Sequence, residues 1–215
     1  MQALGMLEVY SFTSAVCTAD IAAKAADVRI IAFDRNRPIR TDVPAPLVME
    51  VKMEGNVAAI RAAVEAGKAY ATEKGKYIIS HVIPRPADDL DPMAYLMDVN
   101  KDKYNKKLPK SFLNVETKVP ERIEAIGLLE IQGLVASIYG LDAMVKAADV
   151  RLVHSEKRLG GRLVTLVVAG NISAVSSALE AGVAAAEEIG EVYGCEAIAN
   201  PHPEILKYFD MSSES

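Results

Sequence analysis

The hexapeptide KAADVR occurs twice in the chain, at residues 24–29 and again at residues 146–151. The repeat is longer than this, because ALGMLEV at residues 3–9 aligns with AIGLLEI at residues 125–131 at the same offset of 122. After a loop the alignment resumes at an offset of 115, where a Gly-Asn step occurs in both copies. The first copy therefore carries seven more residues in that loop. Ordered self-similarity of this kind indicates a duplicated structural unit.

Each copy has the pattern of a β-α-β-β-α-β unit. A strand is followed by a helix predicted at residues 14–26 and 137–148, whose apolar positions recur at intervals of three and four. Two β-rich runs joined by a loop come next, and the Gly-Asn step then opens a second helix. A short strand running into a proline ends the unit. This order predicts the α/β (α+β) fold class, as a tandem duplication of a ferredoxin-like domain.

The repeat also sets the domain boundaries. We predict a first domain at residues 1–99, a linker at 100–122 and a second domain at 123–215, with a closing helix of the first copy at 91–99. The linker has no counterpart between the copies. Its lysine-rich stretch is typical of a solvated connection.

Composition excludes several classes of function. The formal net charge of −5 and the mixed charges do not form the basic footprint of a nucleic-acid-binding protein. No apolar run reaches the length that spans a bilayer, and the N-terminus lacks the layout of a signal peptide. We therefore expect a cytoplasmic protein with no nucleic-acid partner and no membrane association.

Catalytic and cofactor motifs are missing as well. The three histidines have no nucleophile partner in a recognisable motif, and no HExxH or phosphate-binding loop is present. Cys17 and Cys195 lack CxxC spacing and are predicted to be free, buried thiols that pack in the core. We expect no enzyme activity, no metal and no cofactor.

The repeated motifs resemble those of the bacterial microcompartment shell-domain family. The second copy is similar to its pattern through residues 125–153 and 156–186, and the first keeps ALGMLEV, KAADV, the Gly-Asn step and HVIPRP. The resemblance implies a structural shell protein of the tandem-domain class, whose chains form a homotrimeric, pseudo-hexagonal tile. It also implies a central pore for small metabolites and contacts with other shell proteins of the same cytoplasmic microcompartment.

In that family the loop between the two middle strands lines the pore, which here means residues 34–46 and 155–162. The predicted pore-lining residues are Arg35, Asn36, Arg37, Pro38, Ile39, Arg40, Lys157, Arg158, Leu159, Gly160, Gly161 and Arg162. Around an axis their cations would attract anionic metabolites. The alternative is that the arginines point to the tile faces or pair with Asp34, Asp42 and Glu156, and that Gly160-Gly161 is an ordinary turn.

The family's tile edge uses a lysine at the end of the first helix and an arginine in a Pro-Arg-Pro segment. These match Lys24, Lys146 and Arg85, and the lysines follow Asp20 and Asp142 by four residues. The second copy departs from the arginine pattern, because it has Asn200 at that position. The alternative for both lysines is a surface ion pair of a few tenths of a kcal/mol.

Two other functions remain open at this point. A ferredoxin-like domain can serve as a small-molecule-binding sensor, which the fold alone does not exclude. Some tandem shell proteins conduct electrons through a cluster held by cysteines in the pore loops. Neither loop of this chain contains cysteine, which disfavours that role.

Overall fold

Both copies fold into a four-stranded antiparallel sheet with two helices on one face. The computed structural model describes residues 2–38, 40–87, 90, 94, 123–157 and 159–209. The first copy consists of β1 (Ala3–Tyr10), α1 (Phe12–Ala25), β2 (Arg29–Asn36), β3 (Val48–Gly55), α2 (Val57–Glu73) and β4 (Tyr77–Ile83). The second consists of β5 (Ala125–Gln132), α3 (Leu134–Ala147), β6 (Arg151–Glu156), β7 (Leu163–Gly170), α4 (Ile172–Glu187), β8 (Glu191–Ala199) and the short α5 (Pro203–Tyr208).

Strand order confirms the predicted duplication of a ferredoxin-like fold. The first sheet runs β2-β3-β1-β4 and the second β6-β7-β5-β8, so that the first and third strands of each copy are central. The registers match as well. Met6 pairs with His81 on β4, and the equivalent Leu128 pairs with Glu196 on β8. Residues related by the repeat therefore occupy the same place in the two sheets.

The first helix of each copy begins slightly earlier than predicted. α1 begins at Phe12 and α3 at Leu134, because the chain turns sharply from strand to helix through Ser11 and Gly133, both at positive φ. Ser11 also caps α1 by accepting a hydrogen bond from the backbone N–H of Ser14. α3 has no side-chain cap.

The second helices begin as predicted, after the Gly-Asn step. The Asn56 side chain accepts from the N–H of Ala59 at 2.9 Å, and that of Asn171 accepts from Ala174 at 2.8 Å. Close packing of these helices on the central strands depends on glycine. A Cβ added at Gly5 would lie 2.9 Å from Ile60 and Val64, which leaves room for no side chain.

Some elements and residues differ from the sequence predictions or lie outside the described residues. The closing helix and the linker lie outside the described residues, except for Ala94, which is helical and buried. Cys17 is buried as predicted, but the prediction of a buried Cys195 is wrong, because β8 is an edge strand whose residues are only partly covered. Helix α5 was not predicted, although Pro203 at its first position is a typical start signal.

The short helix α5 brings the C-terminal part of the second copy back onto the first. Tyr208 packs edge-on against Phe33 with ring centroids 4.7 Å apart, and lies 5.9 Å from Phe12. Phe209 continues the cluster to His154 of the second sheet, 5.0 Å away. Aromatic pairs of this geometry each stabilise by about 0.5–1.5 kcal/mol beyond the area they bury. The cluster joins the two domains into one core.

Candidate functional site

The contact between the two domains is formed by α1 of the first copy lying on the outer face of the second sheet, the face away from α3 and α4. Ile126, Leu128 and Val167 point from that face and are fully buried. Phe12 and Val16 of α1 are buried in the same hydrophobic cluster. Because one core runs through both domains, the contact is a permanent part of the folded chain.

A buried carboxylate stands at the start of α1. Glu130 of β5 accepts a hydrogen bond from the backbone N–H of Thr13 at 2.8 Å, which satisfies one of the donors that a helix start leaves free. Its other oxygen, Oε1, has no hydrogen-bond partner among the residues that the structure describes. Loss of hydration on burial raises the pKa of Glu130 above the ordinary range, and its hydrogen bonds lower the pKa by less.

The other end of α1 is held by polar contacts to the second copy. The buried Asp20 accepts from the backbone N–H of His202 at 2.7 Å and pairs with Lys24 at 2.5 Å. Lys24 in turn donates to the carbonyl of Ala199 at 2.9 Å. Asp20 and Lys24 thus both bind the backbone at the end of the last strand of the second domain. Asp20 is buried in the domain contact.

Farther along the same contact, Lys74 forms an ion pair with Glu196 of β8 at 2.7 Å. The hydrogen bond that Lys74 donates to Glu196 also raises the pKa of Lys74, and burial opposes this shift. Beside this pair the Cys17 thiol is hydrogen-bonded to Tyr70, and burial raises the pKa of Cys17 to about 12. This thiol stays protonated at neutral pH, so its role is packing.

Helix α3 has the same position in the second copy, but none of the residues that the structure describes covers it. The fully buried Phe12, Thr13 and Val16 correspond to Leu134, Val135 and Ile138, whose exposures are 55%, 73% and 60%. Tyr139 and Val145 are exposed as well. We call the residues Leu134, Val135, Ile138, Tyr139 and Val145 the α3 surface. A patch of large apolar side chains on one helix marks an interaction site.

The surface that complements α1 also has a counterpart that is left open. On the first sheet the equivalents of Glu130, Gly194 and Glu196 are Glu8, Ile79 and His81. Ile79 and His81 are exposed, whereas Glu130 is fully buried. We call Met6, Glu8, Ile79 and His81 the first-sheet surface. Among the described residues, the chain thus makes one domain contact and leaves both halves of a second one uncovered.

The two predicted pore loops lie next to each other. Arg35, Asn36 and Arg37 of the first loop line a cavity of about 420 Å³ together with Leu159 and Gly160 of the second. The guanidinium of Arg37 lies so close to Gly160 that a Cβ there would be 3.3 Å from Nη2. Two cationic side chains therefore share one opening with the glycine turn of the other copy.

Other residues of these loops have different environments. Arg40 is exposed and forms an ion pair with Asp42, so part of the loop charge is internally neutralised, as the alternative interpretation proposed. Leu159 is buried in the domain core and anchors its loop. Gly160, Gly161 and Arg162 all have positive φ, which the tight turn requires.

The remaining predicted loop residues complete this picture. Pro38 is half-buried and Lys157 is exposed. Ile39 and Arg158 lie outside the described residues.

The predicted edge residues differ between the copies. Asp142 and Lys146 form an exposed ion pair at 2.6 Å, whereas the equivalent Asp20 and Lys24 are built into the domain contact. Arg85 follows β4 and is exposed. Sequence reasoning missed Glu130 and Glu196, although the glutamate shared by ALGMLEV and AIGLLEI was a visible signal for the first.

Two domains of one fold, docked through a surface that each copy carries, define the class as a tandem-domain structural protein. The profile of the BMC domain matches residues 3–86 and 125–201. The chain therefore belongs to the BMC-domain family of bacterial microcompartment shell proteins, which confirms the family resemblance and the expected location in the shell.

Several relatives show how far the similarity extends. The carboxysome assembly protein CcmO of Synechococcus elongatus is 32% identical over 204 residues, which covers 95% of this chain and 67% of CcmO. The shell protein PduA of Salmonella typhimurium is 48% identical over 84 residues, 39% of this chain and 88% of PduA. A microcompartment protein from Desulfitobacterium hafniense aligns in structure with a TM-score of 0.38 and 23% identity, covering 96% of this chain and 99% of that protein.

The described residues also bear on membrane and metal-binding functions. In the described part of the chain, no helix is both long and apolar enough to cross a membrane. Within the same residues, no three His, Cys, Asp or Glu side chains are grouped to hold a metal ion.

The burial of Glu130 predicts a pH-dependent effect on stability. With its pKa raised in the folded state, the folded chain binds more protons than the unfolded chain above the ordinary pKa, so this residue lowers stability as pH rises. Glu130→Gln removes that loss. We expect its melting temperature, relative to the wild type, to increase from about pH 4 to pH 8.

Glu180→Gln, which changes an exposed glutamate of α4, is the matched control and is expected to show no such trend. Thermal unfolding by circular dichroism across that pH range measures both. A Glu130→Gln difference that is constant with pH contradicts the prediction.

Proposed function

We propose that three chains close into a homotrimeric, pseudo-hexagonal tile of the microcompartment shell, with a pore at its centre. The observation that carries this proposal is the open α3 surface, because its counterpart α1 is fully covered within the chain. What covers α1 is the outer face of a sheet. The first-sheet surface of a second copy is the equivalent cover for α3.

The contact between chains would be of the head-to-tail kind. Such a contact gives a closed ring when the rotation between neighbours fits, and a filament when it does not. Each chain supplies two of the six domains that the family's hexagonal tile contains. Three chains therefore complete the ring.

The start of α3 supports the same arrangement. α3 lacks a side-chain cap, and its residue Val135 is equivalent to Thr13, whose N–H is bound by Glu130. Glu8 is the equivalent of Glu130. In the ring, Glu8 of a second copy would lie at the start of α3, where a carboxylate also interacts favourably with the helix dipole.

The role we propose is structural and not enzymatic. The relatives carry the names of shell and assembly proteins, which supports partners among other shell proteins of the same microcompartment. Arg85, Lys146 and Lys24 remain the proposed edge residues by which tiles meet. Arg85 is the most suitable of the three for a mutational test, because Lys24 also stabilises the domain contact and Lys146 pairs with Asp142.

The pore is proposed where the two loops meet. Around a threefold axis, three copies each of Arg35 and Arg37 would surround the opening, with Gly160 of the second loop beside them. Cations in a narrow, partly dehydrated passage attract anions and repel other cations. Small anionic metabolites are therefore the proposed traffic.

The ring is tested by placing a charge on the α3 surface. Ile138→Glu should shift trimers towards monomers, because Val16 at the equivalent position is fully buried and a carboxylate there would lose its hydration. We expect the trimer to weaken at least about thirtyfold, the effect of a hot-spot residue worth about 2 kcal/mol. Sedimentation velocity over a range of concentrations measures this.

The matched control is Ile172→Glu. Ile172 is also exposed, but its equivalent Val57 stays exposed in the copy whose contact is made, so this position lies outside the contact. The control should remain trimeric. A monomeric wild type, or an Ile138→Glu chain that stays fully trimeric, contradicts the ring.

The tile edge is tested at Arg85. Arg85→Ala should leave the trimer intact and abolish the two-dimensional sheets that we expect from concentrated wild-type protein, because the arginine projects beyond the described domain contacts. Arg61→Ala, at an exposed position on α2, is the control. Negative-stain electron microscopy compares them. Sheets of normal extent in Arg85→Ala refute an edge role for this residue.

The pore is tested with an anomalous anion. In crystals of the trimer soaked in iodide, we expect peaks beside Arg37 near the axis, and Arg37→Gln should lose most of that occupancy because the cavity loses a cation. Arg61→Gln is the control. Equal iodide occupancy in the Arg37→Gln crystals would show that this loop does not set the charge of the opening.

A further inference from the structure

The domain contact within the chain is closest where α1 crosses β8. A Cβ added at Gly194 would lie 2.8 Å from Cβ of Thr13, a distance that real Cβ atoms do not adopt. The helix backbone therefore approaches the strand closely, because α1 contributes the small side chain of Thr13 and β8 contributes a glycine, which has no side chain. Any larger residue at position 194 would push α1 away from the second sheet.

The corresponding positions on the two free surfaces are both large. Val135 takes the place of Thr13 on α3, and Ile79 takes the place of Gly194 on β4. These two side chains are among the exposed large hydrophobic residues of the chain, at 73% and 57%. A contact between them would be apolar and wider than the contact of Thr13 with Gly194.

The charged residues also differ between the two contacts. Within the chain a cation on the helical side, Lys74, pairs with an anion on the strand, Glu196. On the free surfaces Lys74 is replaced by Ile189 and Glu196 by His81. The helical side thus loses its cation but keeps the glutamate that both copies share, Glu188, which accepts a hydrogen bond from Tyr139 at 3.4 Å.

We propose that these exchanges make the two contacts non-interchangeable, so that α1 and α2 recognise only the second sheet and α3 and α4 recognise only the first sheet of another copy. The proposal rests on the trimeric ring and specifies its partner: a second copy of this chain, joined in one order. The domains then alternate around the ring, and two like domains do not become neighbours.

Both mismatched contacts carry a physical penalty. If α1 met the first sheet of another copy, Ile79 would stand where Gly194 leaves no room, and Lys74 would face His81 in place of Glu196. If α3 met another second sheet, Glu196 would lose its ammonium partner and face Ile189 and Glu188. Covering a partly buried carboxylate without its partner is costly, and interfaces reject wrong partners in this way.

The test exchanges the charges in the full-length chain. His81→Glu gives β4 the acidic residue of β8 and places it against Glu188, so we expect the trimer to weaken about tenfold, within the range measured for coupled interface pairs. Adding Ile189→Lys recreates the pairing of Lys74 with Glu196 in the contact between chains. The double variant should recover most of the lost affinity.

Ile189→Lys alone is the third corner of the cycle and should also weaken the trimer, since it places a cation against His81. Sedimentation velocity gives the affinities, and circular dichroism checks that each chain is folded. Additive effects of the two substitutions, with no recovery in the double variant, overturn the pairing rule while the wild-type trimer stands. A wild-type chain that is monomeric overturns both the ring and the rule.

A second comparison tests the size exchange without changing charge. Gly194→Ala should lower the melting temperature of the chain at all protein concentrations, because it forces the domains apart. Ile79→Ala should weaken only the trimer, because Ile79 is exposed in the single chain. If Gly194→Ala has no effect on stability, or Ile79→Ala has none on the trimer, the size component of the rule is wrong.

Discussion

The burial of α1 against the outer face of the second sheet is the interaction on which the rest of the molecule depends. It merges the interior of the first domain with apolar residues of the second, including Ile126, Leu128 and Val167. It also fixes the geometry of the neighbouring loops, since the two proposed pore loops meet only because the domains are docked in this way. The exposed apolar residues of α3 can be interpreted by comparison with the equivalent residues of α1, which are buried in this contact.

Duplication followed by divergence explains why the two halves differ. Once one contact was internal to the chain, its residues could become small, as at Thr13 and Gly194, because the covalent connection keeps the partners together. The contact that we propose between separate molecules would have no such help. It carries larger apolar side chains, which supply a hydrophobic driving force that tight polar packing provides less of.

Much of this fold could be predicted from the sequence, because the pattern of each element occurs in both copies and could be compared between them. The order of strands, the helices that begin after Asn56 and Asn171, and the special φ angles of Gly160 and Gly161 followed from local patterns. Burial across domains did not, because it depends on docking that no local pattern encodes. For this reason Asp20 was expected at an edge, Cys195 was expected in a core, and the roles of Glu130 and Glu196 were missed.

The aromatic cluster has a consequence for how the chain is made. Phe12 and Phe33 belong to the first domain, but Tyr208 and Phe209, which complete the aromatic cluster, are synthesised only after the strands of the second domain. Domains of most proteins fold in turn as they are translated. Here the aromatic cluster of the first domain is complete only once Tyr208 has been synthesised. A nascent chain that stops before this residue therefore leaves Phe12 and Phe33 accessible to chaperones and proteases.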